Sequence, residues 1–121
     1  MRNYKDLQVW VKARRLTFTV YKSTRSFPED ERYGIRSQIR RACASIPANL
    51  AEGCGRRSDG EMARFVQIAR GSGAELSYHL LLARDLGLLN SADYGLLEGG
   101  VNEVMRMLSS LSSRLRKSLA A

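Results

Sequence analysis

The run from Gln38 to Arg57, QIRRACASIPANLAEGCGRR, constrains this chain more than any other stretch. At about 100° per residue, Ile35, Ile39, Ala42, Ile46 and Leu50 fall on one face and form an apolar stripe, the inward side of a helix. Ala44, Ala48 and Ala51 fall roughly opposite, where small side chains let a second helix come close. Between the two runs a polar stripe, Gln38, Arg41, Ser45, Asn49 and Glu52, whose members stand three or four residues apart and can touch along the helix. A helix with two packing faces and a polar seam leaves little for solvent, so it reads as the central helix of a bundle. Pro47 stands inside it. An interior proline removes one backbone hydrogen bond and crowds the turn before it, at about 3 kcal/mol. The apolar period continues through Pro47, so a kink is expected there and not a break. Gly53 and Gly55 are expected to stop the helix.

Three other segments carry the same period. A first helix is expected over Lys5–Arg25, with Leu7, Trp10, Val11, Phe18 and Tyr21 on one face and Val9, Ala13, Leu16 and Val20 nearly opposite. Lys12, Arg15 and Lys22 form a ridge between them. Two apolar faces need two burial partners: the bundle's own core and, most simply, a second copy of the chain. Phe27–Glu31 is the first turn, its acids suited to the positive end of the helix that follows. Ser58 with Glu61 three residues on reads as a capping box opening a third helix over Asp59–Leu86. Its expected inward face is Phe65, Ile68, Ala69, Leu76, Leu80 and Ala83, with Ser72, Glu75 and His79 on or beside it. A buried Glu75 needs a partner. Arg41, with Gln38 or Asn49 donating hydrogen bonds, would complete a polar layer of Gln38, Arg41, Asn49, Glu52 and Glu75 that fixes helix register. Gly87 then ends helix three and Ser91 caps helix four. Leu97, Val101, Val104, Leu108, Leu111 and Leu115 alternate four and three apart in that last helix, a coiled-coil-like seam. The reading is all-α: one domain over residues 1–121, an up-down-up-down antiparallel four-helix bundle.

Function is bounded next. Lys and Arg number 20 against 12 acids, a net charge of +8. This balance favours polyanions, nucleic acid first and an acidic membrane surface second. Arginine dominates, and its planar fork suits phosphate. Lys12, Arg15, Lys22, Arg36, Arg40, Arg56 and Arg57 are the candidate phosphate contacts. No apolar run reaches the length of about eighteen residues that a membrane span needs, and no apolar segment follows the N-terminal charges as in a secretory signal. A cytoplasmic setting is the expectation. Cys43 and Cys54, about 16 Å apart along one helix, are too distant for a disulfide and read as small buried hydrophobes. A di-iron bundle needs Glu-x-x-His pairs on two helices. The one histidine, His79, has Leu76 at the matching position. No metal, cofactor or catalytic residue is expected. A hydrolase or nuclease would need Glu75, Arg41 and His79 exposed and convergent.

The run RRACASIPANLAEG resembles the signature of the bacterial four helix bundle protein family, also called the intervening-sequence proteins of large-subunit ribosomal RNA genes. Tyr4-Lys5-Asp6-Leu7-Gln8-Val9-Trp10 is similar to that family's opening, PEDERYGIRSQ to the start of its second helix, and Gly71-Ser72 with Glu75-Leu76 to a piece of its third. The resemblance covers nearly the whole chain. It implies a ring-like homo-oligomer, a homopentamer of four-helix protomers. It also implies kinship with the accessory variability determinant protein of diversity-generating retroelements, a basic protein that works with a reverse transcriptase and RNA. Charge and resemblance together lead to the expectation of a non-enzymatic oligomer that binds RNA or DNA through backbone phosphates. The alternative is a scaffold that docks a protein such as a reverse transcriptase, its charge incidental.

Overall fold

Each of the four periodic segments is a helix in the structure, a computed structural model that describes residues 2–31 and 34–120. The order is α1 Gln8–Ser23, α2 Ile35–Cys54, α3 Asp59–Asp85 and α4 Ser91–Ala120. Short connections make neighbours antiparallel. α2 packs on α3, α3 on α4, and α1 closes the bundle against α2 and, more sparsely, α4. No strand occurs among the described residues. Arg32 and Tyr33, within the segment that resembles the family's second-helix start, lie outside them.

The core is built as the apolar periods demand. Val9, Ala13, Leu16 and Val20 of α1, Ile35, Ile39, Ala42, Ile46 and Leu50 of α2, and all six seam residues of α4 are buried. Ile39, Ile46, Leu50, Leu76, Leu80 and Leu108 are among the largest side chains that are fully enclosed. Each is worth about 1.5–3 kcal/mol relative to exposure. The opposite face of α1 is left open at Phe18 and Tyr21, while Leu7, Trp10 and Val11 are half-buried.

α2 runs unbroken through Pro47. The turn around the proline has side-chain support: Asn49 Nδ2 donates to the Ser45 carbonyl at 2.8 Å and to Ser45 Oγ at 2.9 Å. Gly53 does not stop the helix. It is buried inside the last turn, and a Cβ there would stand 2.7 Å from Met62 Sδ and 2.9 Å from Phe65 Cβ. Its missing side chain is what lets α2 and α3 converge. Gly73 does the same between α3 and Met105 of α4.

Boundaries shift for local reasons. Residues Tyr4–Asp6 form a separate 3-10 turn, because the Asn3 side chain accepts from the Lys5 amide and Leu7 is extended, so α1 begins at Gln8 and not Lys5. The capping hydroxyl of α3 is Ser58, which accepts from the Glu61 amide at 3.2 Å. α4 is capped by Asn90 and not Ser91: Asn90 Oδ1 accepts from the Asp93 amide at 2.7 Å. Gly87, with φ of +77°, takes the left-handed position that closes α3. The Leu88 amide then reaches back to the Ala83 carbonyl at 2.9 Å. Ile68 faces out, 41% exposed, because the buried stripe of α3 passes through Met62 and Val66, on the other side of Phe65 and Ala69.

Candidate functional site

The signature run of α2 serves packing first. Ile46 fills the core, Asn49 holds Ser45, and Ser45 Oγ meets Ser72 Oγ of α3 at 2.8 Å. This short chain of neutral groups is the polar layer that forms between α2 and α3. It differs from the expected one. Arg41 is exposed and donates to Gln38 Oε1 at 2.6 Å, Glu52 is exposed and paired with Arg56 at 2.8 Å, and Glu75 faces solvent. The Glu75–Arg41 pair is replaced by Glu75 with His79, Oε1 to Nε2 at 3.4 Å. Desolvating a carboxylate costs several kcal/mol, whereas paired hydroxyls and an amide cross the interface cheaply, so the charges moved out and the neutral groups stayed.

The cations divide the molecule. α1 and α2 together carry seven Lys and Arg and one acid, Glu52. α3 and α4 carry seven Lys and Arg and seven acids. The positive charge of the bundle therefore belongs to one half, the α1–α2 face. Between Leu7 and Ala51 the acids are the three consecutive residues Glu29, Asp30 and Glu31.

The expected phosphate contacts fall unequally on this half. Arg15 and Lys22 are exposed on α1, and Arg36 is half-buried on the first turn of α2. Lys12 leans across to Glu103 of α4 at 3.5 Å. Arg15 and Lys12 also edge a small groove of about 220 Å³ between α1 and α4, with Leu96 and Gly100 opposite. A larger groove of about 420 Å³ is lined by Gln8 and Val9 of α1 and by Met107, Leu111 and Arg114 of α4. Arg57 is exposed in the α2–α3 turn, whereas Arg56 is held by Glu52 and lies 5.0 Å over the Phe65 ring.

Arg40 has a structural task. Its Nε–H donates to Thr24 Oγ1 at 2.9 Å, its Nη2–H to the Tyr21 carbonyl at 3.1 Å, and its guanidinium lies 4.5 Å over the Tyr21 ring. It thus satisfies a carbonyl at the end of α1 and fixes α1 to α2. Arg14 was not among the expected contacts. It is exposed and stacks 4.8 Å over Phe18, a pairing signalled by the spacing of four residues.

Both cysteines are free and buried. Burial pushes the Cys43 thiol up to about 11, against a smaller opposing effect of its hydrogen bond to Thr17 Oγ1. Burial also raises Cys54, with Arg2 pulling the other way. His79 Nδ1 is enclosed without a hydrogen-bond partner. No described helix is long and apolar enough to cross a membrane.

Fold and charge together define an antiparallel four-helix bundle whose first two helices form a basic face. The model of the 23S rRNA-intervening sequence protein family matches residues 5–110, and the chain belongs to that family. Among solved structures, a protein of unknown function from the S23 ribosomal protein family of Bacteroides thetaiotaomicron shares the fold, with a TM-score of 0.80 and 21% identity. The match spans 87% of this chain and 95% of that one. A comparison with the curated proteins returns no match.

Proposed function

We propose that this chain is a non-enzymatic nucleic-acid-binding module whose α1–α2 face contacts backbone phosphates. The observation that carries the reading is the one-sidedness of the charge: seven cations and one acid on α1 and α2, against parity on α3 and α4. Charge kept only for solubility has no reason to segregate, whereas a polyanion needs a continuous positive field. Arg15, Lys22, Arg36 and Arg57 are the principal contacts, Lys12 and Arg56 join after leaving their surface carboxylates at about 0–1 kcal/mol each, and Arg40 contributes field from a fixed position. The family's ribosomal RNA connection supports RNA as the first ligand to test.

Self-association belongs to the same proposal. The neutral half exposes Tyr78 and Leu81, three residues apart on α3, a surface suited to a neighbouring copy because cations and acids balance on α3 and α4. A ring of protomers, five by family likeness, would present several basic faces at once.

Equilibrium binding of RNA against salt tests the phosphate reading. Affinity should fall steeply with ionic strength. Arg15→Gln, Lys22→Gln and Arg36→Gln should each lower the slope of log K against log salt by about 0.7–0.9. Arg106→Gln, on the neutral half, should leave it unchanged. Affinity indifferent to salt would remove the proposal, and light scattering of the free protein reads the subunit count.

A further inference from the structure

Two aromatic rings sit where a basic face has least reason to hold them. Phe18 is 55% and Tyr21 is 40% exposed, three residues apart on α1 and therefore neighbours on its outer surface. Each ring is paired with an arginine, Phe18 with Arg14 and Tyr21 with Arg40. Arg40 is held by Thr24 and by the Tyr21 carbonyl, so one ring is fixed in place by its cation. Arg15 and Lys22 flank the pair, and α1 contains no acid. A cation covers one side of a ring and leaves the other open.

We infer that Phe18 and Tyr21 are a base-stacking platform, and that the ligand of the α1–α2 face is an unpaired strand. This rests on the phosphate reading above and deepens it. Phosphates alone need only the cations. Adjacent exposed rings among those cations offer two apolar surfaces next to the positive charge, and that combination matches a strand whose bases are free to turn towards the protein while its phosphates meet Arg15 and Lys22. A duplex keeps its bases stacked on each other and gives the rings nothing to cover. A second copy presenting this same face would set cation against cation.

The test is fluorescence anisotropy with a labelled twelve-nucleotide RNA, single-stranded or annealed to its complement, the two compared across the same series of ionic strengths. The intact chain should favour the single strand by about tenfold or more. Phe18→Ala should remove most of that preference, leave duplex affinity and the salt slope unchanged, and keep helical circular dichroism, since the side chain is exposed. Phe18→Tyr should restore the preference and Phe18→Leu should not, which separates a π face from mere bulk. Equal affinity for both RNAs with a steep salt slope would overturn the platform while the phosphate reading stands. Loss of the slope itself would sink that reading as well. Two further results would also overturn the platform: Phe18→Ala splitting the free protein into smaller species by light scattering, or abolishing a capture by anionic phosphatidylserine vesicles that exceeds RNA binding.

Discussion

Gly53 shows how much one position can decide. A methyl group there would meet Met62 Sδ, which can swing aside, and Phe65 Cβ, which moves only with its backbone. Gly53→Ala is therefore expected to destabilise by about 1–3 kcal/mol, read as a lower urea midpoint at unchanged slope. Cys43 is the second residue-level case. Its thiol is buried and held up near 11, so the reactive thiolate is scarce at neutral pH. Alkylation of the native protein at pH 8 should be slow at Cys43 and become rapid on unfolding. Fast native labelling at that site would contradict the packing of α1 on α2. The sequence assigned Arg40 to phosphate because it names a charge and not the Thr24 hydroxyl and Tyr21 carbonyl that a neighbouring helix brings within reach.

At the scale of elements, helix interiors were legible and helix ends less so. The apolar stripe of α2 and the seam of α4 follow from a rotation of 100° per residue, which no neighbour alters. The ends depend on which polar side chain wins an amide. At the start of α4 Ser91 and Asn90 compete, and Asn90 takes the Asp93 amide while Ser91 becomes the first helical residue. Asn90→Ala should cost about 1 kcal/mol and Ser91→Ala much less, a difference visible in paired thermal melts. The inward face of α3 was harder to read, because that helix is apolar over much of its circumference. Ile68 and Val66 look alike as letters, and only the position of α2 and α4 sorts one out and the other in. The same cause hid the true polar layer: Ser45, Asn49 and Ser72 were visible, but their meeting across α2 and α3 required both helices in place.

For the whole molecule, the ends of three segments meet at Asp59. Its carboxylate accepts from Arg2 and from Ser118 near the end of α4, at 2.9 Å for the latter. The Arg2 hydrogen bond, then that from Ser118, holds this carboxyl below its usual value. A depressed folded value means that the contact contributes stability above the ordinary carboxylate pKa of about 4. That contribution is lost as pH falls through the lower folded value. Asp59→Asn should flatten the pH dependence of unfolding on the acid side and leave its shape near neutrality unchanged, as read in urea melts across that range.

The charge division works at the same scale. Its linear half, the near absence of acids from Leu7 to Ala51, is open to anyone reading the chain. What makes it a face is that α1 and α2 pack side by side, which Arg40 and the Cys43–Thr17 contact record.

The sequence by itself determined the number of helices, the buried stripes of α2 and α4 and the sign of the surface charge, since periodicity and net charge are sums over the chain that tertiary contacts cannot change. Only the tertiary structure decided which cations stay available, which glycine permits close approach and which rings stand in the open. Those depend on distances between residues far apart in sequence, set when one helix is laid against another.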